Sequence, residues 1–375
     1  MKKNIAIIEN NIVSTNTMRQ KLTLELMSSG YNVVVLTTGN NKDLQIAKDN
    51  GIKVIDIKSS NINPVHIFLY LKNIKKALKE NNAEVCLTFT MRPAIWGNFI
   101  TSKLDIPTIT NITGVGPLFS SKNPAYIVAR LMYKFVLKNT QRIFFQNNDD
   151  MNLFLTNNFI TKEKAALIPG SGVDHQYFKP LIKSEKNSSF IFLFIGRLLK
   201  DKGVIEFVEA ARAFKKMNLD AEFRIVGPLW NQNLKKNTIT KDELNSWITE
   251  KIITYLGPAD DVRPHIANAD CFVLPSYREG TSNVLLEASS MERPSITCNT
   301  TGCREIVEDG ITGLLCNVAD TNHLIEKMKE MILFSPEKRM EMGKNARKKV
   351  VKEFDKQFVI DTYMDTIKSI TSSKN

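Results

Sequence analysis

Several features that would place a chain in a common class are missing here. No apolar run approaches the roughly 18 residues that a membrane-spanning helix needs, and Met1-Lys2-Lys3 leads straight into the apolar stretch 5–8 with no small-residue cleavage site. Neither a span nor a secretory leader is expected. The five cysteines, Cys86, Cys271, Cys298, Cys303 and Cys316, are odd in number and never fall as Cys-x-x-Cys, and there are only four histidines. That argues against a disulfide framework or a zinc site and leaves buried thiols as the expectation. No Gly-x-Gly-x-x-Gly follows the first strand-like segment, where the sequence reads Glu9-Asn-Asn-Ile-Val-Ser-Thr-Asn16, so a dehydrogenase loses its dinucleotide fingerprint. Asp-x-Asp is absent. So are a zinc knuckle, a basic-aromatic segment of the RNA-binding kind and heptads after a basic stretch, and nucleic acid is not the expected partner.

What remains is an ordinary globular composition, 43% apolar and 24% charged over 375 residues, too long for one core and suited to two domains. The net charge of +12 is unevenly placed: residues 1–182 carry 22 Lys and Arg against 12 Asp and Glu, residues 183–375 carry 29 against 27. A basic half suits an anionic partner. Two amphipathic helices in it carry the positives, Lys72, Lys75, Lys76 and Lys79 in one and Arg130, Lys134 and Lys138 in the other. One such helix alone is an ordinary solvated surface; two in the basic half point to contact with an anionic membrane surface.

Strand-like and helix-like segments alternate throughout, which predicts α/β architecture with doubly wound parallel sheets. In the first half, strands are expected over 4–9, 32–36, 52–57, 85–89, 107–112 and 143–146, with helices over 16–29, 64–80, 93–102, 124–139 and 149–157. Open α/β sheets bind ligands at the carboxyl ends of their strands. Attention therefore falls on Thr90-Met91-Arg92, Thr113-Gly114-Val115-Gly116 and Asn147-Asn148. In the second half, strand 190–195 runs into Gly196-Arg197-Leu-Leu-Lys200-Asp201-Lys202-Gly203 and a helix over 204–214. An Arg and a Lys five apart at such a turn can converge on one diphosphate, the Arg as a fork and the Lys as a point charge. Gly302 is expected to open a helix containing Glu305, Asp309-Gly310-x-x-Gly313 to be a structural turn, and the tail to form helices over 321–334, 336–349 and 357–370.

The segment 271–288 organises the rest. Apolar 271–274 reads as a buried strand stopped by Pro275; Gly280 frees the backbone; Ser282 and Asn283 are N-cap residues; and a helix then carries Glu287 about one turn in. Strand, glycine turn and helix N-terminus together make an anion site, with phosphate its natural guest. Glu279 and Glu287 flank it. The paired acids of a glycoside hydrolase must face one bond at about 5–9 Å, whereas Glu279 lies at the strand edge and Glu287 inside the helix below, so hydrolysis is disfavoured.

These elements resemble the retaining glycosyltransferases of the GT-B fold, family 4 (glycosyltransferase group 1), among them bacterial enzymes of surface-polysaccharide and lipid-linked oligosaccharide assembly. Glu279-x7-Glu287, Gly196-Arg197-x4-Lys202-Gly203 and Gly172-Val173-Asp174-x3-Phe178-x-Pro180 carry the resemblance, which spans essentially the whole chain. It implies two Rossmann-like doubly wound domains facing a central cleft: residues 1–182 for the acceptor, 183–352 for the nucleotide sugar, and 353–375 as a helix crossing back. Phe178 would anchor the chain before a polar linker over 181–189. It implies that Glu279 lies by the donor sugar, that Gly280, Thr281, Ser282, Asn283 and Val284 hold the pyrophosphate through backbone N–H groups, and that Glu287 binds the ribose. Arg197 and Lys202 would neutralise the leaving diphosphate.

The activity so implied is transfer of a hexose or N-acetylhexosamine, with retention, from a UDP-linked donor to a hydroxyl of a lipid-linked saccharide, carried on undecaprenyl diphosphate. The enzyme would be a cytoplasmic hexosyltransferase peripheral to the inner face of the cell membrane. No cofactor or metal is expected, since cationic side chains already supply the charge a divalent ion would give. The sequence departs from the family at 9–16, where a glycine pair is usual, and at Thr113-Gly114, where many members have a His. The alternatives are a nucleotide-sugar epimerase of the same fold and a transferase acting on a soluble acceptor.

Overall fold

In the computed structural model, described over residues 3–58, 63–119, 123–184, 189–230 and 237–372, the chain divides into two compact units: Met1–Ser171 with Gln357–Asn375, and Gly172–Lys356. In the first, β1 (Asn4–Ile8), β2 (Asn32–Thr37), β3 (Lys53–Asp56), β4 (Val85–Phe89), β5 (Thr108–Ile112), β6 (Arg142–Phe145) and β7 (Ala165–Leu167) form one sheet in the order β3-β2-β1-β4-β5-β6-β7. Every pair in it is parallel. Helices cover both faces of such a sheet, which is why β4 and β5 are buried along their whole length. The chain winds outward from β1 to β3 and returns on the other side with β4, so the topological switch lies between β1 and β4.

The second unit repeats the plan with β8 (Phe190–Ile195), β9 (Ala221–Val226), β10 (Thr254–Tyr255), β11 (Cys271–Leu274), β12 (Ser295–Cys298) and β13 (Gly313–Cys316). Their order, β10-β9-β8-β11-β12-β13, puts its switch between β8 and β11. Arg197 and Lys202 follow the first of those strands and Glu279 the second, the places where open sheets take ligands. Its core is dominated by phenylalanine: Phe192, Phe207, Phe214 and Phe223 meet ring to ring at 5.3–5.8 Å.

The units meet earlier and part later than the expected boundaries at 182/183 and 352/353. The reason is a backbone clasp: Val173 donates to the Phe354 carbonyl at 2.8 Å and its own carbonyl accepts from Lys356 at 3.1 Å. Gly172, at φ +65°, makes this possible, since a Cβ there would stand 2.5 Å from the Lys356 Cα. Of the expected linker, residues 185–188 lie outside the described residues. The final helix, Lys356–Ser372, packs on the first sheet, with Tyr363 against Phe89 and Phe144.

Four expectations change. The helix expected over 16–29 is two, Ile12–Thr17 and Gln20–Ser28, because Arg19 leaves helical geometry to pair with buried Glu9 at 2.6 Å. The helix expected over 93–102 opens as a π-helical turn, Pro93–Gly97, before Asn98–Lys103. Gly302 opens no helix; 301–306 are turns. Arg130 is not part of a positive stripe, since its Nη1 donates to the Leu118 carbonyl at 3.1 Å. The outward face of that helix, Pro124–Val136, is apolar, with Ile127, Val128, Leu131 and Phe135 exposed beside Lys134. The helix Pro64–Glu80 likewise exposes Val65, Phe68 and Leu69 one turn before Lys72, Lys75, Lys76 and Lys79. Among the described residues no helix is long and apolar enough to cross a membrane.

Candidate active site

Two glycines bring the site of the second unit together. Gly203, at φ +72°, ends the 3₁₀ turn Lys200–Lys202; a Cβ there would lie 2.1 Å from the Pro275 carbonyl oxygen, so only glycine lets this turn close on the end of β11. The closure is fastened by the Asp201 carbonyl, which accepts from the Tyr277 N–H at 2.9 Å. Gly302, at φ +80°, does the same from the other side, where a Cβ would meet the Glu279 carbonyl carbon at 2.6 Å. There Glu279 donates its N–H to Thr301 at 3.0 Å, and the Thr300 hydroxyl donates to Tyr277 at 2.9 Å.

The result is an ion pair held at the switch point. Lys202 Nζ lies 2.5 Å from Glu279 Oε1, both side chains less than one-fifth exposed, and the buried Ser276 hydroxyl donates to the same oxygen at 2.8 Å. A lysine and a carboxylate so enclosed interact more strongly than a surface pair. Lys202 is thereby fixed in place. Behind this pair the Tyr277 hydroxyl donates to Glu206, buried on the helix Val204–Lys216, at 2.5 Å.

The helix after β11 runs Asn283–Ser290. Ser282 occupies its cap position without a side-chain cap bond, and its N–H is given to the Gly302 carbonyl at 3.0 Å. That removes Ser282 from the backbone donors expected to face a pyrophosphate. Gly280 and Thr281 complete the turn, and Asn283 and Val284 begin the helix, at the positive end of its dipole. Glu287 sits on this helix, half-buried, and burial pushes its carboxyl up to about 7 against the opposing charge of Lys356. A group poised there takes or gives a proton near neutral pH.

Arg197 stands apart from the Lys202–Glu279 contact: it is exposed at the end of β8, its guanidinium 4.6 Å over the Trp230 ring. The sequence reading had no place for Ser276, Asp201 and Tyr277, whose roles depend on contacts across the turn; a Pro-Ser-Tyr immediately after an apolar strand was the available signal. The cysteines are buried, and burial, aided for Cys303 by the Glu279 charge, pushes its thiol up and keeps it from acting as a nucleophile. Phe178 packs against the core of this unit and its carbonyl accepts from the Ser290 hydroxyl at 2.7 Å. In the first unit, Asn147 caps the helix Asn148–Thr156 by accepting from the Asp150 N–H at 2.7 Å, a structural role.

Residues 189–333 match the family model for "Glycosyl transferases group 1", and residues 8–147 that for "Glycosyl transferase 4-like". The chain is 27% identical over 341 residues to the N,N'-diacetylbacillosaminyl-diphospho-undecaprenol alpha-1,3-N-acetylgalactosaminyltransferase of Campylobacter jejuni, covering 85% of this chain and 86% of that one. It is 28% identical over 313 residues to the UDP-Gal:alpha-D-GlcNAc-diphosphoundecaprenol alpha-1,3-galactosyltransferase of Escherichia coli, covering 79% and 78%. An Anabaena protein in complex with UDP and glucose shares the fold, with a TM-score of 0.81 at 14% identity over 98% of this chain and 100% of that one.

Proposed function

The chain belongs to the group 1, family 4-like glycosyltransferases of GT-B fold, and from that we propose that it moves a sugar from a UDP-linked donor, with retention, to a hydroxyl of a saccharide carried on a lipid diphosphate. It is a hexosyltransferase-type enzyme. The observation that carries the finer reading is the Lys202–Glu279 pair at the β8/β11 switch. When a nucleotide sugar enters, its diphosphate draws Lys202 away from Glu279, and the released carboxylate accepts from a hydroxyl of the donor sugar. Arg197 adds a second cation at the rim, and Gly280, Thr281, Asn283 and Val284, Ser282 excepted, lie at the positive end of the helix dipole, where an anion is favoured. As the bond from the anomeric carbon to the diphosphate breaks, negative charge grows on the leaving oxygen, where fixed cations stabilise the transition state more than the ground state. The acceptor hydroxyl oxygen attacks the anomeric carbon from the same face and passes its proton to the departing diphosphate oxygen.

The acceptor class rests on the two relatives, whose names specify diphospho-undecaprenol and diphosphoundecaprenol saccharides. The UDP donor rests on the second of them. Peripheral contact with an anionic membrane rests on the outward faces of the helices Pro64–Glu80 and Pro124–Val136. The charge-neutralising role falls to Arg197 and Lys202, so turnover is expected to need no divalent ion. The test is turnover of nucleotide sugars with and without a diphosphate-linked acceptor, in excess chelator. Acceptor-dependent turnover at an unchanged rate is expected. Activity restored only by magnesium or manganese, or conversion of the donor with no acceptor as an epimerase would show, would overturn it.

A further inference from the structure

The reaction above gives no task to the Thr90-Met91-Arg92 loop, whose charged member is Arg92. It follows β4 at the β1/β4 switch of the first sheet and begins the π-helical turn Pro93–Gly97. Its guanidinium lies 5.2 Å over the ring of buried Tyr70. Its Nε and Nη2 are both buried and without a hydrogen-bond partner among the described residues. These two nitrogens form one edge of the guanidinium, the edge that presents two parallel N–H donors to two oxygens of a phosphate or carboxylate. A buried charged donor left unpaired is costlier than a neutral one, because it gives up the stronger hydration of an ion. The buried carboxylate of Glu9 in the same unit is paired with Arg19 at 2.6 Å.

The surroundings narrow the anion. Thr90, a β-branched residue, is held at φ +69°, and its Oγ1 is likewise buried and unpartnered among the described residues. Such strain survives only where the neighbouring structure imposes it, and it gathers at functional sites. The turn that Arg92 begins packs against both helices whose outer faces are apolar, Pro64–Glu80 with Phe68 and Leu69, and Pro124–Val136 with Leu131 and Phe135. A bidentate cation beside apolar helices suits a ligand that is part diphosphate and part hydrocarbon.

We propose that the Nε–Nη2 edge of Arg92 binds a phosphate of the diphosphate that joins the acceptor saccharide to its lipid. The inference rests on the lipid-diphosphate acceptor proposed above and makes Arg92 a binding residue for it, distinct from the donor diphosphate's partners Arg197 and Lys202.

Titration of the full chain with farnesyl diphosphate and with farnesol tests this without knowledge of the saccharide. Arg92→Lys keeps the charge and loses the fork, and is expected to weaken farnesyl diphosphate binding at least tenfold while Lys202→Ala leaves it unchanged. Farnesol should bind weakly to all three proteins. Arg92 loses its role if Arg92→Lys binds as the unaltered chain does, if Lys202→Ala alone abolishes binding, or if farnesol binds as well as the diphosphate. Release of Arg92→Lys from phosphatidylglycerol vesicles would assign the residue to phospholipid headgroups and overturn the proposal as well. Transfer to a diphosphate-linked saccharide is measured in parallel: failure there sinks the acceptor reading itself, whereas transfer with unaltered acceptor KM in Arg92→Lys sinks only the role of Arg92.

Discussion

At the scale of single residues, Lys202 and Glu287 separate chemistry from binding. Lys202→Ala removes a cation aimed at growing charge, and loss of a comparable preorganised group costs about 2.7–4 kcal/mol of transition-state stabilisation. The expected result is a kcat lower by two to three orders of magnitude with a far smaller change in melting temperature. Equal loss of stability and activity would return the residue to a structural role. Glu287 makes a pH prediction. Folded, its carboxyl keeps its proton up to about pH 7; unfolded, it loses it near the ordinary value of about 4.3. Between those values the folded chain binds more protons than the unfolded one, so this group makes stability fall as pH rises. Glu287→Gln should remove that decline, so that the variant gains on the unaltered chain from pH 5 to pH 8 in denaturant titrations. A difference that stays flat across the interval means that the carboxyl is not shifted. Ribose hydroxyls are best accepted by the ionised form, so nucleotide affinity should rise over the same interval and lose its pH dependence in Glu287→Gln.

At the scale of elements, the first βα connection is organised by a buried ion pair. Glu9 closes β1 with its carboxyl fully buried, and burial raises its pKa despite Arg19. Arg19 breaks the helix to reach it and lies 4.3 Å over the Phe89 ring at the end of β4. Removing one partner leaves a buried charge uncompensated, so Arg19→Ala should cost about 3–5 kcal/mol. The double variant Arg19→Met with Glu9→Gln should recover most of that loss. Chemical denaturation followed by far-UV circular dichroism measures both; an Arg19→Ala protein as stable as the parent would show that the pair holds nothing together.

At the scale of the whole molecule, charge and apolar surface coincide in the first unit. Lys and Arg near an anionic surface contribute about 1 kcal/mol each and are screened by salt, while exposed Phe68, Leu131 and Phe135 add burial that salt does not weaken. Reversing Lys72, Lys75, Lys76 and Lys134 to Glu should release the protein from acidic vesicles at low salt. Changing the three apolar residues to Ser should remove the salt-resistant remainder. Both variants should keep activity on a short water-soluble acceptor. Co-sedimentation that is indifferent to both changes would mark these faces as plain solvated surface and favour a soluble acceptor.

The sequence by itself determined the alternation of strands and helices, the two-sheet class and the positions of Lys202, Glu279 and Glu287, because local periodicity, glycine and the spacing along a strand–turn–helix unit are encoded within about twenty residues. Even the helix Lys241–Thr249, which escaped the reading, carried its own signal in the capping box of Thr240 and Glu243. Only the tertiary structure decided the rest. That Lys202 rests on Glu279, 77 residues away, depends on two turns closing around Gly203 and Gly302. That Ser282 gives its N–H to Gly302, that Arg19 leaves its helix for Glu9, and that Arg130 turns inward to the Leu118 carbonyl are choices that no periodicity or spacing ranks, even though the partners lie only 10 to 20 residues apart. A side chain's preference is local, but its partner is set by which strands the sheet brings side by side.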